Sequence, residues 1–246
     1  MRGRTAVAVG AGLVLLLGAA SFLVLDTDAR GLLPGAPDCT VTVGDREVGL
    51  SSAEAASAAR ATARVVRGGG TPASVTAALD TDLSATDRRL VAFALAGRAP
   101  AALTCTQTTD AVAGSTRLTP SGLVPRARDV RRELDRVFGR QQVGGFARGG
   151  VTSGHSPGSA HYEGRALDVF VRPVTVPNRR HGWAVAQYLV ANAGRLGVAT
   201  VIFDGRIWTA RRSFEGWRDY APDTRGRSRA VAAILEHRDH VHVDVS

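Results

Sequence analysis

The sequence predicts an α+β protein with hairpin-type connections on three observations. Strand-like and helix-like segments do not alternate in repeated strand–helix–strand units. Val201-Ile202-Phe203 and Arg206-Ile207-Trp208 flank Asp204-Gly205, a pairing of apolar runs and turn residues that signals a hairpin. The segment Arg165 to Arg172 alternates with period two, with Ala166, Asp168 and Phe170 on one face and Leu167, Val169 and Val171 on the other.

From the N-terminus, Arg2 and Arg4 precede an uncharged apolar run, Thr5 to Leu25, followed by Asp26 and Asp28. About 20 such residues span a bilayer core at a helical rise of 1.5 Å, and the arginines keep the N-terminus cytoplasmic. Residues 1–25 are therefore expected to be a single-pass membrane anchor with the remaining chain outside the cell. A secretory signal peptide, giving a secreted protein, is the competing reading. No Cys follows the run, which excludes a lipid anchor there. Residues 26–37 read as a linker.

Residues 38–107 read as a small α/β module bracketed by the only two cysteines, Cys39 and Cys105. An isolated pair in an oxidising compartment is expected to be a disulfide. Thr40 to Val43 has strand character and turns at Gly44-Asp45. Ser51-Ser52-Ala53-Glu54 resembles a capping box and opens an Ala-rich helix that Gly68-Gly69-Gly70 stops. Thr71-Pro72 opens a second helix and Ser84 a third, before Leu103-Thr104-Cys105 returns as a strand. Nothing in this module suggests chemistry.

After a polar linker at 108–122, residues 123–246 form the second unit. Pro125 sits in the first turn of a helix with Ala127, Val130, Leu134, Val137 and Phe138 on one face, ended by Gly139. Asn178 is expected to cap a further helix running to Leu196, with Gly197 as its stop. A last helix, about Ser228 to Glu236, leads to a final strand, His240 to Val245.

The 31 basic residues are all Arg, and the formal net charge is +9. Such a chain outside the cell suits anionic lipid or anionic wall polymer. Its arginines are scattered, with no basic run interleaved with aromatics, so nucleic acid is not an expected partner.

Three side chains stand out chemically. A catalytic zinc site takes three N or O ligands and leaves one position open. His161 and Asp168 lie in one short segment, and Asp168 interrupts an apolar strand, where a bare carboxylate is costly. His242 closes Asp239-His240-Val241-His242, which puts two histidines on one strand face. The expected ligands of one zinc ion are thus His161, Asp168 and His242. Asp239 is the first choice for the base that takes a proton from water, and Glu236 the second. His240 is placed to stabilise an oxyanion. Ser159, His155 and Trp217 are expected at the substrate. His181 and His237 read as solvated helix-end residues, and Trp183 and Trp208 as packing.

The pattern Ser159-x-His161-x-x-Gly164-x-Ala166-x-Asp168, followed by His240-x-His242, resembles the zinc D-alanyl-D-alanine peptidase superfamily. That group includes the D-Ala-D-Ala carboxypeptidases, lysostaphin-type and phage endolysin peptidases and the hedgehog signalling domain. The resemblance covers residues 123 to 246 and leaves the cysteine module outside it. It implies a His-Asp-His zinc site on an antiparallel sheet flanked by helices, an acidic base at the position of Asp239, and hydrolysis of peptidoglycan stem peptides. Many members carry a Tyr-Arg pair just before the motif; the corresponding Ser153-Gly154-His155-Ser156 has no Arg. A catalytically inactive, zinc-stabilised wall-binding or protein-contact module is therefore the alternative expectation.

Overall fold

A computed structural model of the protein describes residues 37–107 and 114–246. The expected membrane segment lies outside them, and no helix among the described residues is long and apolar enough to cross a membrane. The α+β class is observed, with two antiparallel sheets.

The smaller sheet has the order β2-β1-β3, formed by β1 (Cys39–Val43), β2 (Arg46–Leu50) and β3 (Leu103–Cys105). Cys39 stands directly opposite Cys105 in the register, and the two form the expected disulfide. Helix α1 (Ser52–Arg67) starts with the capping box read from the sequence: the Ser51 hydroxyl accepts from the Glu54 N–H, and the Glu54 carboxylate accepts from the Ser51 N–H at 2.8 Å. Thr71 caps α2 (Pro72–Ala78) and Ser84 caps α3 (Ala85–Phe93). A π-helical turn, Ala94–Arg98, follows α3 and is turned at Gly97, φ +70. A Cβ on Gly97 would sit 1.8 Å from the Arg180 carbonyl oxygen, so only glycine permits this approach.

The larger sheet is six-stranded, in the order β4-β5-β9-β6-β7-β8. Its strands are β4 (Val143–Gly144), β5 (Ala166–Phe170), β6 (Val198–Phe203), β7 (Arg206–Thr209), β8 (Arg218–Asp219) and β9 (His240–Val245). The β6–β7 turn has positive φ at both Asp204 (51) and Gly205 (76), the geometry the Asp-Gly pair favours. The last strand enters the middle of the sheet, between β5 and β6, which brings the C-terminal histidines beside Asp168.

Helix α4 (Pro125–Phe138) buries the face predicted for it. Helix α5 (Val176–Ala191) begins two residues before the expected cap: Thr175, not Asn178, caps it, with Pro177 in the first turn. It also ends early, at Asn192, and a short α6 (Ala193–Leu196) carries the chain to Gly197. Every residue from Gly182 to Ala191 is buried. A helix apolar on all sides is a helix packed on all sides, and α5 packs on α1, the π turn and β3 as well as on β6. The two units thus share one continuous core from Cys39 to Val245. Gln187, fully buried, stitches them by accepting from the Leu103 N–H (2.9 Å) and donating to the Ala94 carbonyl (2.8 Å).

Trp217 belongs to this junction. Its indole N–H donates to the Leu103 carbonyl at 2.8 Å and its ring packs edge-on against Trp183 at 5.3 Å. The expectation that it contacts substrate is corrected: it is buried, its one donor is taken by Leu103 and its ring packs on Trp183. Helix α7 (Arg229–Leu235), capped by Ser228, precedes β9 as expected.

Candidate metal centre

Strand register builds the site. Asp168 pairs directly with His242, and Phe170 with His240. Alternation then puts Asp168, His240 and His242 on one face of the sheet. His161 enters from the tight turns that precede β5. Its Nδ1–H donates to the Gly145 carbonyl at 2.7 Å, which leaves Nε2 with a lone pair directed inward.

The three inward atoms meet closely. His161 Nε2 is 3.0 Å from His242 Nδ1 and 3.3 Å from Asp168 Oδ1, and His242 Nδ1 is 3.2 Å from that same oxygen. Ligands about 2.0–2.2 Å from a tetrahedral metal lie roughly 3.3–3.6 Å apart. The trio therefore outlines one face of a tetrahedron slightly contracted from that size, and all three residues are buried. The group can hold a metal ion. His242 Nε2 lies 3.5 Å from Asp244 Oδ2, which orients the second ligand ring as Gly145 orients the first.

The electrostatics favour a cation. Burial works against ionised Asp168, yet hydrogen bonds from His161 and His242, and charge from His161 and His240, hold its carboxyl well below the usual range. Burial also works against a charged His242, and the carboxylates of Asp168 and Asp244 still raise it to about 9. Positive charge is thus welcome where a ligand set of one carboxylate and two imidazoles would place a metal.

An open cleft of about 770 Å³ leads to the trio. The 154–159 loop, including His155 and Ser159, lines it together with a largely apolar group, Tyr220, Pro222, Ile234 and Leu235. His155 lies flat on His161, with ring centroids 3.9 Å apart and 16° between planes. Burial and then the neighbouring His161 depress its pKa. The Tyr162 hydroxyl donates to the His155 carbonyl and accepts from its N–H, fixing this loop from behind.

Neither candidate base lines the cleft. Glu236 is tied to Arg238 Nε at 2.6 Å, at the C-terminal end of α7. This corrects the expectation for Glu236: the chain turns after it, and its carboxylate points to Arg238 instead of the ligands. Asp239 lies behind His240, with one oxygen 2.8 Å from His240 Nδ1 and the other accepting from Arg172 at 2.6 Å. Burial would raise the Asp239 pKa, but the bonds from His240 and Arg172 lower it. His240 Nε2, on the far side of the ring, is 3.8 Å from Asp168 Oδ1 and does line the cleft.

Residues 119–231 match the family model described as VldE, C-terminal domain. The match spans somewhat under half of the chain. It includes His161 and Asp168 and stops before β9, so Asp239, His240 and His242 lie beyond it. No curated protein and no solved structure matches the chain.

Sequence reasoning missed four contributors. His237, read as solvated, lines the cleft with its ring 4.5 Å from His240 and 5.6 Å from His242. Burial first, then the neighbouring His240 and His242, push its pKa down to about 3, so it is a neutral imidazole. Its φ of 55 turns it inward, and the β6–β7 turn holds it there: the Asp204 N–H donates to the His237 carbonyl at 2.8 Å. The supports Asp244, Gly145 and Arg172 also went unseen. Only Asp244 left a signal, since it shares the i, i+2 face of His240 and His242.

Proposed function

We propose that this protein is an extracellular zinc peptidase that hydrolyses the stem peptides of peptidoglycan, and that it is a member of the zinc D-alanyl-D-alanine peptidase superfamily. The observation that carries this reading is the donor trio itself: two imidazole nitrogens and a carboxylate oxygen 3.0–3.3 Å apart at the foot of an open cleft. Bound by His161, Asp168 and His242, zinc would lower the pKa of a water towards roughly 7. Two imidazoles and one carboxylate suit zinc better than a hard cation such as calcium, which takes six or more oxygens.

The chain's own groups supply the remainder. His240 Nε2 faces the ligand cluster and is the group placed to take a proton from water and return it to the leaving amine. Asp239 acts through that ring and not on the water. Neutral His237 spends its one N–H on the Leu235 carbonyl at 2.9 Å, so its Nε2 is an acceptor that can take a hydrogen bond from a substrate N–H. Ser159 and His155 offer polar contacts in the cleft, while Tyr220, Pro222, Ile234 and Leu235 suit small aliphatic side chains such as that of alanine. The apolar run at 5–25 and the disulfide support a membrane-anchored protein acting outside the cell.

Incubating the zinc-loaded full chain with peptidoglycan fragments tests this directly. Mass spectrometry should detect released amino acids or peptides, and His161→Ala should release none. A second reading, a zinc-stabilised wall-binding or protein-contact module without turnover, is favoured by one observation: no carboxylate other than Asp168 and Asp244 lines the cleft. Zinc binding with no cleavage across a broad panel of fragments would select it.

A further inference from the structure

Resting on the peptidase reading, we infer that Arg172 is a positioning residue for the site: acting through Asp239, it fixes the tautomer and ring orientation of His240. Asp239 has two oxygens and each has one task. Oδ2 accepts from Arg172, whose Nε and Nη2 both lie at 2.6 Å. Oδ1 sits 2.8 Å from His240 Nδ1. A carboxylate held by a guanidinium is an acceptor only. The proton on the imidazole must therefore reside on Nδ1, and Nε2 presents a lone pair to the cleft.

Arg172 is itself held in place from two directions. Its guanidinium lies 4.3 Å from the centroid of the Phe170 ring, a cation–π arrangement. Phe170 is the cross-strand partner of His240, their rings 6.2 Å apart. The backbone closes the assembly, since the Val171 N–H donates to the Asp239 carbonyl at 2.9 Å. Arg172, Asp239 and His240 thus form a line running from the surface to the ligand cluster. Arg172 is half exposed and is not among the residues lining the cleft, so it touches His240's support and not the substrate.

Without Arg172, Asp239 loses its fixed orientation, and its Oδ1 is no longer held in line with His240 Nδ1. His240 then samples both tautomers, and the Nδ1-protonated form that offers Nε2 is diluted. Lysine at 172 restores a cation but not the two-nitrogen grip, so it rescues in part.

The test uses the zinc-loaded full chain labelled with ¹⁵N-histidine, as wild type, Arg172→Met and Arg172→Lys. Long-range ¹H–¹⁵N spectra of wild type should show His240 as a single tautomer protonated at Nδ1. Arg172→Met should show a mixture, with zinc content unchanged, and Arg172→Lys should lie between. On a cleaved stem peptide, Arg172→Met should lower kcat by about tenfold with KM altered by less than about twofold. A single, unchanged His240 tautomer in Arg172→Met overturns the inference. So does a rise in KM at constant kcat, which would make Arg172 a substrate contact. If wild type cleaves nothing, the peptidase reading fails while the tautomer spectra still decide the role of Arg172.

Discussion

Gly145 offers a demanding test of how the first ligand is held. Its φ is +78, and a Cβ added there would lie 2.4 Å from His161 Cε1, 2.6 Å from His161 Nδ1 and 2.8 Å from Asp168 Oδ2. Gly145→Ala therefore has two costs. The left-handed backbone costs about 1–2 kcal/mol for a residue with a side chain, and crowding a packed site costs about 1–3 kcal/mol more. To reach ordinary contact the His161 ring must retreat by roughly 1 Å, half a metal–ligand bond. That motion also breaks its bond to the Gly145 carbonyl, and losing such a support weakens metal binding by about ten- to a hundredfold. Gly149→Ala is the matched control, because φ there is +81 and nothing lies within 4 Å of the added carbon. Zinc affinity measured by competition with a chromogenic chelator should fall for Gly145→Ala and stay near wild type for Gly149→Ala. Equal zinc affinity in the two variants would refute the reasoning.

Three further outcomes follow from packing and charge. The Cys39–Cys105 disulfide closes a separation of 66 residues; replacing both cysteines with serine should cost about 4 kcal/mol in the chain-entropy model, read from denaturant midpoints, and a loss below about 1 kcal/mol would contradict it. Gln187→Leu keeps the volume but strands the Leu103 N–H and the Ala94 carbonyl, which should cost about 2–6 kcal/mol at roughly 1–3 for each buried group; urea unfolding checks this, and an unchanged midpoint would show that the junction does not depend on those bonds. Burial opposes ionised Glu133, yet Tyr188, Arg136 and Arg195 lower its pKa from 4.5 to about 2. Its folded pKa is depressed, so its contribution to stability is complete above about pH 4.5 and is lost as pH falls towards 2. The melting temperatures of wild type and Glu133→Gln should therefore converge on acidification through that window, and a gap that stays constant would sink the assignment.

Local chemistry was legible where the cause is local. The Ser51–Glu54 capping box, the Thr71 and Ser84 caps, the Asp204-Gly205 turn and the period-two run at 166–170 all have short-range causes, and all are observed. His161, Asp168 and His242 were legible for a different reason. A buried carboxylate in an apolar strand and two histidines on one strand face are chemically conspicuous before any packing is known. What stayed hidden depends on partners distant in sequence. Nothing near Gln187 or Trp217 announces that Leu103 is their partner. Asn178 suits a cap by residue type, but Thr175 three residues earlier takes that place, with Pro177 already in the first turn. His237 reads as an ordinary helix-end residue until the β6–β7 turn grips its backbone and rotates it into the cleft. Asp239 sits at the spacing expected of a base, but only the fold shows that Arg172 and His240 occupy both its oxygens.

The metal centre itself is tested most directly by zinc stoichiometry, measured by elemental analysis of the purified full chain beside His161→Ala, Asp168→Ala and His242→Ala. Wild type should hold one zinc per chain after removal of loosely bound metal, and each variant should hold far less. A metal-free wild type, or variants that retain as much zinc as wild type, would contradict the site built from His161, Asp168 and His242.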